Sequence, residues 1–172
     1  MKIAVIGYSG SGKSTLAARL AEKQGVPVLY MDTVHWLPGW KEREREEKRA
    51  IVTAFLDENE SWVIDGNYKS DCYDRRMEEA DKIVFMAFGR FACLRRVIRR
   101  YRENKGRARA SMTEGCEERL PPDFLLWVFY TGRTKKRKRV YYDTVKRYAE
   151  KSTVIRNQKQ LDAFYEAEGL FF

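Results

Sequence analysis

The nine residues Gly7-Tyr8-Ser9-Gly10-Ser11-Gly12-Lys13-Ser14-Thr15 constrain this chain more than any other segment. They match the pattern G-x-x-x-x-G-K-[ST], whose glycines let successive backbone N–H groups turn inward around phosphate oxygens. The context agrees. Ile3–Ile6 is an apolar, β-branched run directly before the turn, and Leu16–Glu22 has helical spacing directly after it. A strand, a glycine-rich turn and a helix N-terminus together cradle an anion, because the positive end of the helix dipole adds to the amides. Gly7, Ser9, Gly10, Ser11, Gly12 and Thr15 are therefore candidate phosphate-binding positions. Lys13 would reach the β- and γ-phosphates, and the Ser14 hydroxyl would ligate magnesium. A turn that merely connects a strand to a helix has no use for Lys13. A nucleoside triphosphate with Mg²⁺ is the implied ligand, and the motif alone leaves kinases, GTPases and motor ATPases open.

Four more apolar runs rich in β-branched residues follow: Pro27–Met31, Trp62–Ile64, Ile83–Phe88 and Thr153–Ile155. They lack polar alternation, which suits strands covered on both faces of a parallel sheet. Segments of helical spacing lie between them, around Leu16, Ile51, Cys93–Tyr101, Phe124–Tyr130, Val140–Tyr148 and Leu161–Phe164. Strand alternating with helix predicts a doubly wound α/β fold of P-loop type, three layers with a five-stranded parallel sheet. Residues 1–172 read as one domain. The mixed charge run Lys41–Arg49 is expected to be the solvated first half of a helix whose second half packs.

The second strand ends Tyr30-Met31-Asp32 and the third Ile64-Asp65-Gly66-Asn67, and the carboxyl ends of strands in such sheets face the ligand crevice. Asp65 is thus expected to hold Mg²⁺ with Ser14. Asp32 is expected to face the acceptor, where it can orient or deprotonate a hydroxyl. Each has a blander alternative, a strand-end Asp that caps the following loop. No N-K-x-D run for guanine is present, which weakens a GTPase reading.

The chain carries 34 Lys+Arg against 25 Asp+Glu. Residues 91–150 hold 17 of those cations against 7 acids and so carry the whole excess, while the first 90 residues are near neutral. Arg95, Arg96, Arg99, Arg100 and Arg102 share one predicted helix, where like charges at i, i+4 repel unless an anion lies near. Residues 104–121, basic and glycine-containing, read as a lid. In Gly132–Arg139, six of eight residues are cationic, more than a triphosphate needs, so a nucleic-acid backbone contact through Arg133–Arg139 rivals the lid reading.

Three cysteines, never closely spaced, suggest neither a disulfide framework nor a zinc knuckle, and a single His35 excludes multi-histidine metal chemistry. The opening Met1-Lys2-Ile3-Ala4-Val5-Ile6 leaves no room for a secretory leader, and no apolar run approaches a membrane span. A cytoplasmic protein without membrane contact, monomeric or homodimeric, is expected.

The runs GYSGSGKSTLA, MDTVHWLPGW, WVIDGNY, ADKIVFMAFGRFACLRRVIRRY, EGC, GRTKKRKR and NQKQLDAF, spread over nearly all of the chain, carry a family resemblance. The sequence resembles the adenylate-kinase-related P-loop proteins known as DNA topology modulation proteins. That resemblance implies a nucleoside monophosphate kinase-like core with an acceptor-binding region at residues 32–60 and a lid insertion. The activity it implies is transfer of the γ-phosphoryl of Mg-ATP to a small acceptor, a nucleotide being the first candidate. It further implies that Gly10–Thr15 hold the ATP phosphates, and that one of Arg96 and Arg100 stacks on adenine while the other binds phosphate. Lid-side Arg133 and Arg137 would neutralise the transferring group, and the Asn157-Gln158-Lys159 loop would contact adenine. The family name itself points to an alternative, a DNA-associated protein with ATP as a switch.

The departures are specific. Adenylate-type kinases usually carry Asp-Gly-Phe-Pro-Arg after the third strand, whereas this chain has Asp65-Gly66-Asn67-Tyr68-Lys69, leaving Lys69, Arg75 or Arg76 to grip the acceptor. Thr33-Val34-His35-Trp36-Leu37-Pro38-Gly39-Trp40 stands in the usual acceptor region. Its tryptophans either stack on a base or pack, and His35 is either an acceptor-site residue or a loop histidine.

Overall fold

The computed structural model describes residues 1–170. A five-stranded, wholly parallel sheet forms its centre, made of β1 (Lys2–Gly7), β2 (Val28–Tyr30), β5 (Trp62–Asp65), β6 (Lys82–Met86) and β7 (Ser152–Ile155) in the order β2-β5-β1-β6-β7. The apolar runs make these strands because both faces are covered: Ile3, Val5, Ile6, Val63, Ile83, Val84 and Phe85 are all fully buried. A two-stranded antiparallel hairpin, β3 (Trp36–Leu37) and β4 (Lys41–Glu42), stands apart from the sheet.

Helix α1 (Lys13–Gln24) packs against β1, β2 and β5, and α8 (Gln158–Ala167) joins it through Arg19 over the Tyr165 ring. Across the sheet lie α3 (Arg45–Glu58), α4 (Tyr73–Glu79) and α7 (Lys135–Arg147), linked by the Arg75–Asp57 ion pair and the Tyr73–Thr144 hydrogen bond. Helices α5 (Arg90–Asn104) and α6 (Pro122–Phe129) pack on each other beside the P-loop, and a short α2 (Met31–His35) precedes the hairpin. The α/β fold with a five-stranded parallel sheet is therefore as expected.

Two sequence expectations are corrected. Asp32 is not at a strand end, because the chain turns into α2 at Met31, whose fully buried side chain anchors that turn. Lys41–Arg49 is a solvated half-helix only in part: residues 45–49 open α3 with all but Lys48 exposed, ahead of the packed Val52 and Leu56. The first residues of the run form β4, and Lys48 is buried because its ammonium reaches Glu42 at 2.6 Å and His35 Nδ1 at 3.4 Å.

Gly7 and Gly10 set the geometry of the loop. Gly7 sits at φ 147°, where a Cβ would lie 2.4 Å from the Met86 carbonyl oxygen on β6. Gly10 sits at φ 77°, and a Cβ there would meet the Cys93 carbonyl and Val97 of α5 at 2.6 Å. No L side chain fits either position, so strand, loop and α5 approach each other only through glycine.

Candidate active site

The carboxyl ends of β1, β2 and β5 open into a crevice of about 1510 Å³. Ser9, Gly10, Gly12, Lys13, Ser14 and Thr15 form its floor. Gly12, at φ 97°, caps α1, whose first turn carries no acidic residue, so the amides there face an uncompensated positive helix end. Lys13 Nζ donates to the Tyr8 carbonyl at 3.2 Å. Ser11 is fully buried below this floor and its carbonyl accepts from Arg96 at 2.5 Å. Gly7 is held from β5: Asn67 accepts from the Gly7 N–H at 2.8 Å and donates to the Gly7 carbonyl at 2.6 Å.

The Ser14 hydroxyl donates to Asp65 Oδ2 at 2.6 Å, while Oδ1 of this buried carboxylate has no protein partner. Burial raises the Asp65 pKa, an effect that Lys13 and the Ser14 hydrogen bond oppose. A buried oxygen without a donor, beside a hydroxyl at the start of a P-loop helix, suits a hard divalent cation held partly through water. The donor set thus fits Mg²⁺.

Asp32 lines the opposite wall. Tyr68 donates to its Oδ1 at 2.7 Å, and burial, then Asp32, pushes the phenol pKa far up, so Tyr68 remains a donor. The Tyr68 ring stacks on His35 at 4.5 Å, and His35 meets Trp36 edge-on at 4.6 Å. Burial and the nearby Lys48 lower the His35 pKa, which keeps the imidazole neutral at pH 7. Of the three cations proposed to grip an acceptor, only Lys69 lines the crevice. Arg75 is tied to Asp57 and Glu79, and the fully buried Arg76 donates to the carbonyls of Gly66 and Tyr68.

Segment 105–121 crosses to the acceptor side and docks on the hairpin. Gly39 N–H donates to the Gly115 carbonyl at 3.1 Å, Thr113 to the Trp36 carbonyl at 2.6 Å, Cys116 to Leu37, and Trp40 Nε1 to Glu117. Arg119 lies over the Trp40 ring at 4.5 Å. Its Glu118 is buried and receives Arg100 at 2.7 Å on Oε1 and Arg109 at 2.7 Å on Oε2.

The arginines expected to meet ATP separate into two groups. Arg96 lines the crevice over the Phe88 ring and also bonds Gln158 at 2.6 Å, and Arg137 lines it over the Trp127 ring at 4.2 Å. Arg100 lines it too but is spent on Glu118. Arg133, expected to face the transferring group, is instead buried in the wall. Its guanidinium stacks on Tyr8 at 3.9 Å and donates to the carbonyls of Val128 and Phe88, because the 3₁₀ turn Thr131–Arg133 draws it inward before α7 starts. Asn157, expected in the adenine loop, does not line the crevice and caps α8 by accepting from Gln160 N–H at 3.0 Å; its neighbour Gln158 lines the crevice instead.

Sequence reading missed Asn67, Glu118 and Trp127, whose Nε1 donates to Ser9 Oγ at 3.3 Å. For Asn67 a signal existed, since an amide directly after a strand-end Asp-Gly is the side chain that can meet a neighbouring strand's N–H and C=O together. Asn67→Asp retains the acceptor but sets an oxygen against the Gly7 carbonyl. We expect it to weaken ATP binding about tenfold, ~1.4 kcal/mol, by calorimetry. Unchanged affinity would show that the loop holds its shape without the amide.

Comparison with known proteins agrees at the level of fold. No family model matches the chain. A Bacillus subtilis (strain 168) protein, "Uncharacterized protein YqaC", is 29% identical over 126 residues, 73% of this chain and 69% of its own length. A gluconokinase from Sinorhizobium meliloti 1021 superposes with a TM-score of 0.53 at 19% identity, covering 98% of this chain and 90% of its own. TT1252 from Thermus thermophilus gives 0.54 at 18% identity, covering 97% and 95%. The chain therefore has a P-loop kinase fold. The resemblance to DNA topology modulation proteins finds no counterpart among these relatives. Among the described residues no helix is long and apolar enough to cross a membrane.

Proposed function

We propose that this protein is a Mg²⁺- and ATP-dependent phosphotransferase that moves the γ-phosphoryl group to a hydroxyl of a small acceptor. One observation carries the reading. A single crevice holds a P-loop with its lysine, a Ser14–Asp65 pair with a spare carboxylate oxygen, and, on the facing wall, Asp32 oriented by Tyr68. Kinase chemistry needs these three parts, because phosphoryl transfer is catalysed mainly by positioning and charge stabilisation.

Ser14 and Asp65 would hold Mg²⁺, which when bound neutralises charge on the β- and γ-phosphates. The P-loop amides and Lys13 grip the triphosphate, and Arg96 and Arg137 flank it. Asp32, with Oδ1 fixed by Tyr68, uses its other oxygen to orient the acceptor hydroxyl and to receive its proton as the new P–O bond forms and ADP departs. Segment 105–121, already docked on the hairpin, acts as the lid that excludes water. Gln158, Leu161 and Tyr165 offer the adenine side. The test is a screen of ATP consumption against hydroxyl acceptors in the cytoplasmic pH range, with Asp32→Asn as the control. We expect the variant to lose at least about a hundredfold in turnover, the span of a general base. Equal turnover would remove Asp32 from the chemistry.

A second reading rests on a surface. Lys135, Lys136 and Arg139 are exposed, and of these Arg139 alone has a carboxylate partner, Asp143, among the described residues. A nucleic-acid backbone is a chemically suitable partner for that block. Neutralising Lys135, Lys136 and Lys138 together should then weaken DNA retention and flatten its salt dependence. If the wild type shows no retention at moderate salt, the block only solubilises α7.

A further inference from the structure

We infer that Glu118 sets acceptor specificity: its carboxylate fills the Arg100–Arg109 pair that an acceptor phosphate would need, so the acceptor is an uncharged hydroxyl compound, a polyol or a nucleoside. This rests on the phosphotransferase reading above and narrows it.

Two guanidinium groups held side by side in a crevice repel each other and attract an anion. Arg100 and Arg109 both line this crevice, on the wall that also carries Asp32. The chain itself supplies their anion. Glu118 Oε1 takes Arg100 through Nε at 2.8 Å and Nη2 at 2.7 Å, and Oε2 takes Arg109 Nε at 2.7 Å. The Glu118 side chain is 4% exposed. For a phosphomonoester to bind here it must break three charge-assisted contacts and leave the Glu118 charge buried without a partner, or expel that part of the segment altogether. Removing one partner of a buried pair is strongly unfavourable. Expulsion would also disturb the neighbouring Trp40–Glu117 and Cys116–Leu37 hydrogen bonds.

The rest of the wall is equally unsuited to a second phosphate. Asp32 is a carboxylate and repels one. The neutral His35, the phenol of Tyr68 and the Trp36 ring offer hydrogen bonds and apolar faces, the surfaces that recognise hydroxyl groups and the C–H faces of sugars. Lys69 and Arg119 line the crevice with no carboxylate partner among the described residues. Arg119, however, is laid on the Trp40 ring, and Lys69 is a single charge lining the crevice that Asp32 also lines. The nucleoside monophosphate suggested by sequence resemblance would meet a wall whose paired arginines, Arg100 and Arg109, are already neutralised.

Glu118→Gln tests this, since it keeps shape and loses charge. Inorganic phosphate is titrated calorimetrically into wild type and variant, each saturated with Mg²⁺ and a non-hydrolysable ATP analogue so that the P-loop is filled. We expect the variant to bind phosphate at least tenfold more tightly, and the gain to vanish in Glu118→Gln/Arg109→Gln. Equal phosphate affinity in wild type and Glu118→Gln, or a gain that survives loss of Arg109, overturns the inference and leaves Glu118 a strut of the lid. With acceptors, wild type should consume ATP with nucleosides or polyols and not with nucleoside monophosphates, and the variant should shift that preference at least tenfold toward the monophosphates. A wild type that prefers monophosphates also overturns it. Failure of the analogue to bind counts against the phosphotransferase reading. The phosphate comparison, repeated with Lys13→Ala in both proteins to weaken the P-loop, then still decides whether Glu118 blocks an anion subsite.

Discussion

Lys13→Ala should lower ATP-dependent phosphoryl transfer by at least about a thousandfold, ~4 kcal/mol of barrier, while the melting temperature stays within about two degrees of wild type. The two halves of this expectation have separate causes. Lys13 sits at the first turn of α1, lines the crevice, and in the protein alone makes one hydrogen bond, to the Tyr8 carbonyl. Losing that bond from a solvent-facing lysine changes stability little. Its charge, by contrast, is the cation the loop delivers to the β- and γ-phosphates, where charge develops as the bond breaks. Steady-state turnover and thermal unfolding on the same samples check both halves. A variant that retains turnover would mean that the P-loop is not where the triphosphate reacts.

The second large effect is at Asp65, where stability and activity should move in opposite directions. Its carboxylate is buried, one oxygen has no protein donor, and burial holds its pKa above the ordinary range despite Lys13 and Ser14. A carboxyl whose folded pKa exceeds its unfolded value binds protons more readily in the native state. Native stability from this group is therefore lost as pH rises through and above the ordinary carboxylate range. Ionising Asp65 therefore strains the native state, a strain relieved when a divalent cation sits beside it. Asp65→Asn keeps the shape and can still accept from Ser14. It should raise the metal-free melting temperature at neutral pH, with a difference that shrinks toward pH 4, and should abolish the additional stabilisation that Mg²⁺ gives the wild type. Turnover should fall about a hundredfold or more, since a neutral amide is a poor magnesium ligand. Thermal scans between pH 4 and pH 8, with and without Mg²⁺, decide this. A destabilised Asn variant at neutral pH would show that the negative charge is structural.

The fold was legible because its signals are local. Unbroken apolar runs such as Ile3–Ile6 and Ile83–Phe85 can only be strands covered on both faces, and Gly7–Thr15 carries its own geometry. The P-loop and Asp65, which line the crevice, carry local signals of the same kind, whereas Arg96 and Arg137, which also line it, were named only through the family resemblance. What escaped depends on contacts between distant segments. Glu118 is one acid in an irregular stretch, and only the path of segment 105–121 brings it to Arg100. Arg133 belongs to a cationic run in which each residue reads alike, yet a 3₁₀ turn buries it against Tyr8 while Arg137, four residues on, reaches the crevice. Lys48 looked solvated because its neighbours are charged, and it is buried by Glu42 and His35, which the β3–β4 hairpin carries back to it. Asp32 lines the crevice from a helix in place of the expected strand end.

The central claim is that the γ-phosphoryl group goes to a hydroxyl held by Asp32 and not to water. Incubating the protein with Mg²⁺ and ATP labelled in the γ-phosphoryl, with and without a panel of nucleosides and polyols, tests it most directly. The account predicts label in a phosphorylated acceptor, dependent on Lys13 and Asp32, with little release of inorganic phosphate when no acceptor is present. Label that appears only as inorganic phosphate, at the same rate with or without any acceptor, would contradict it.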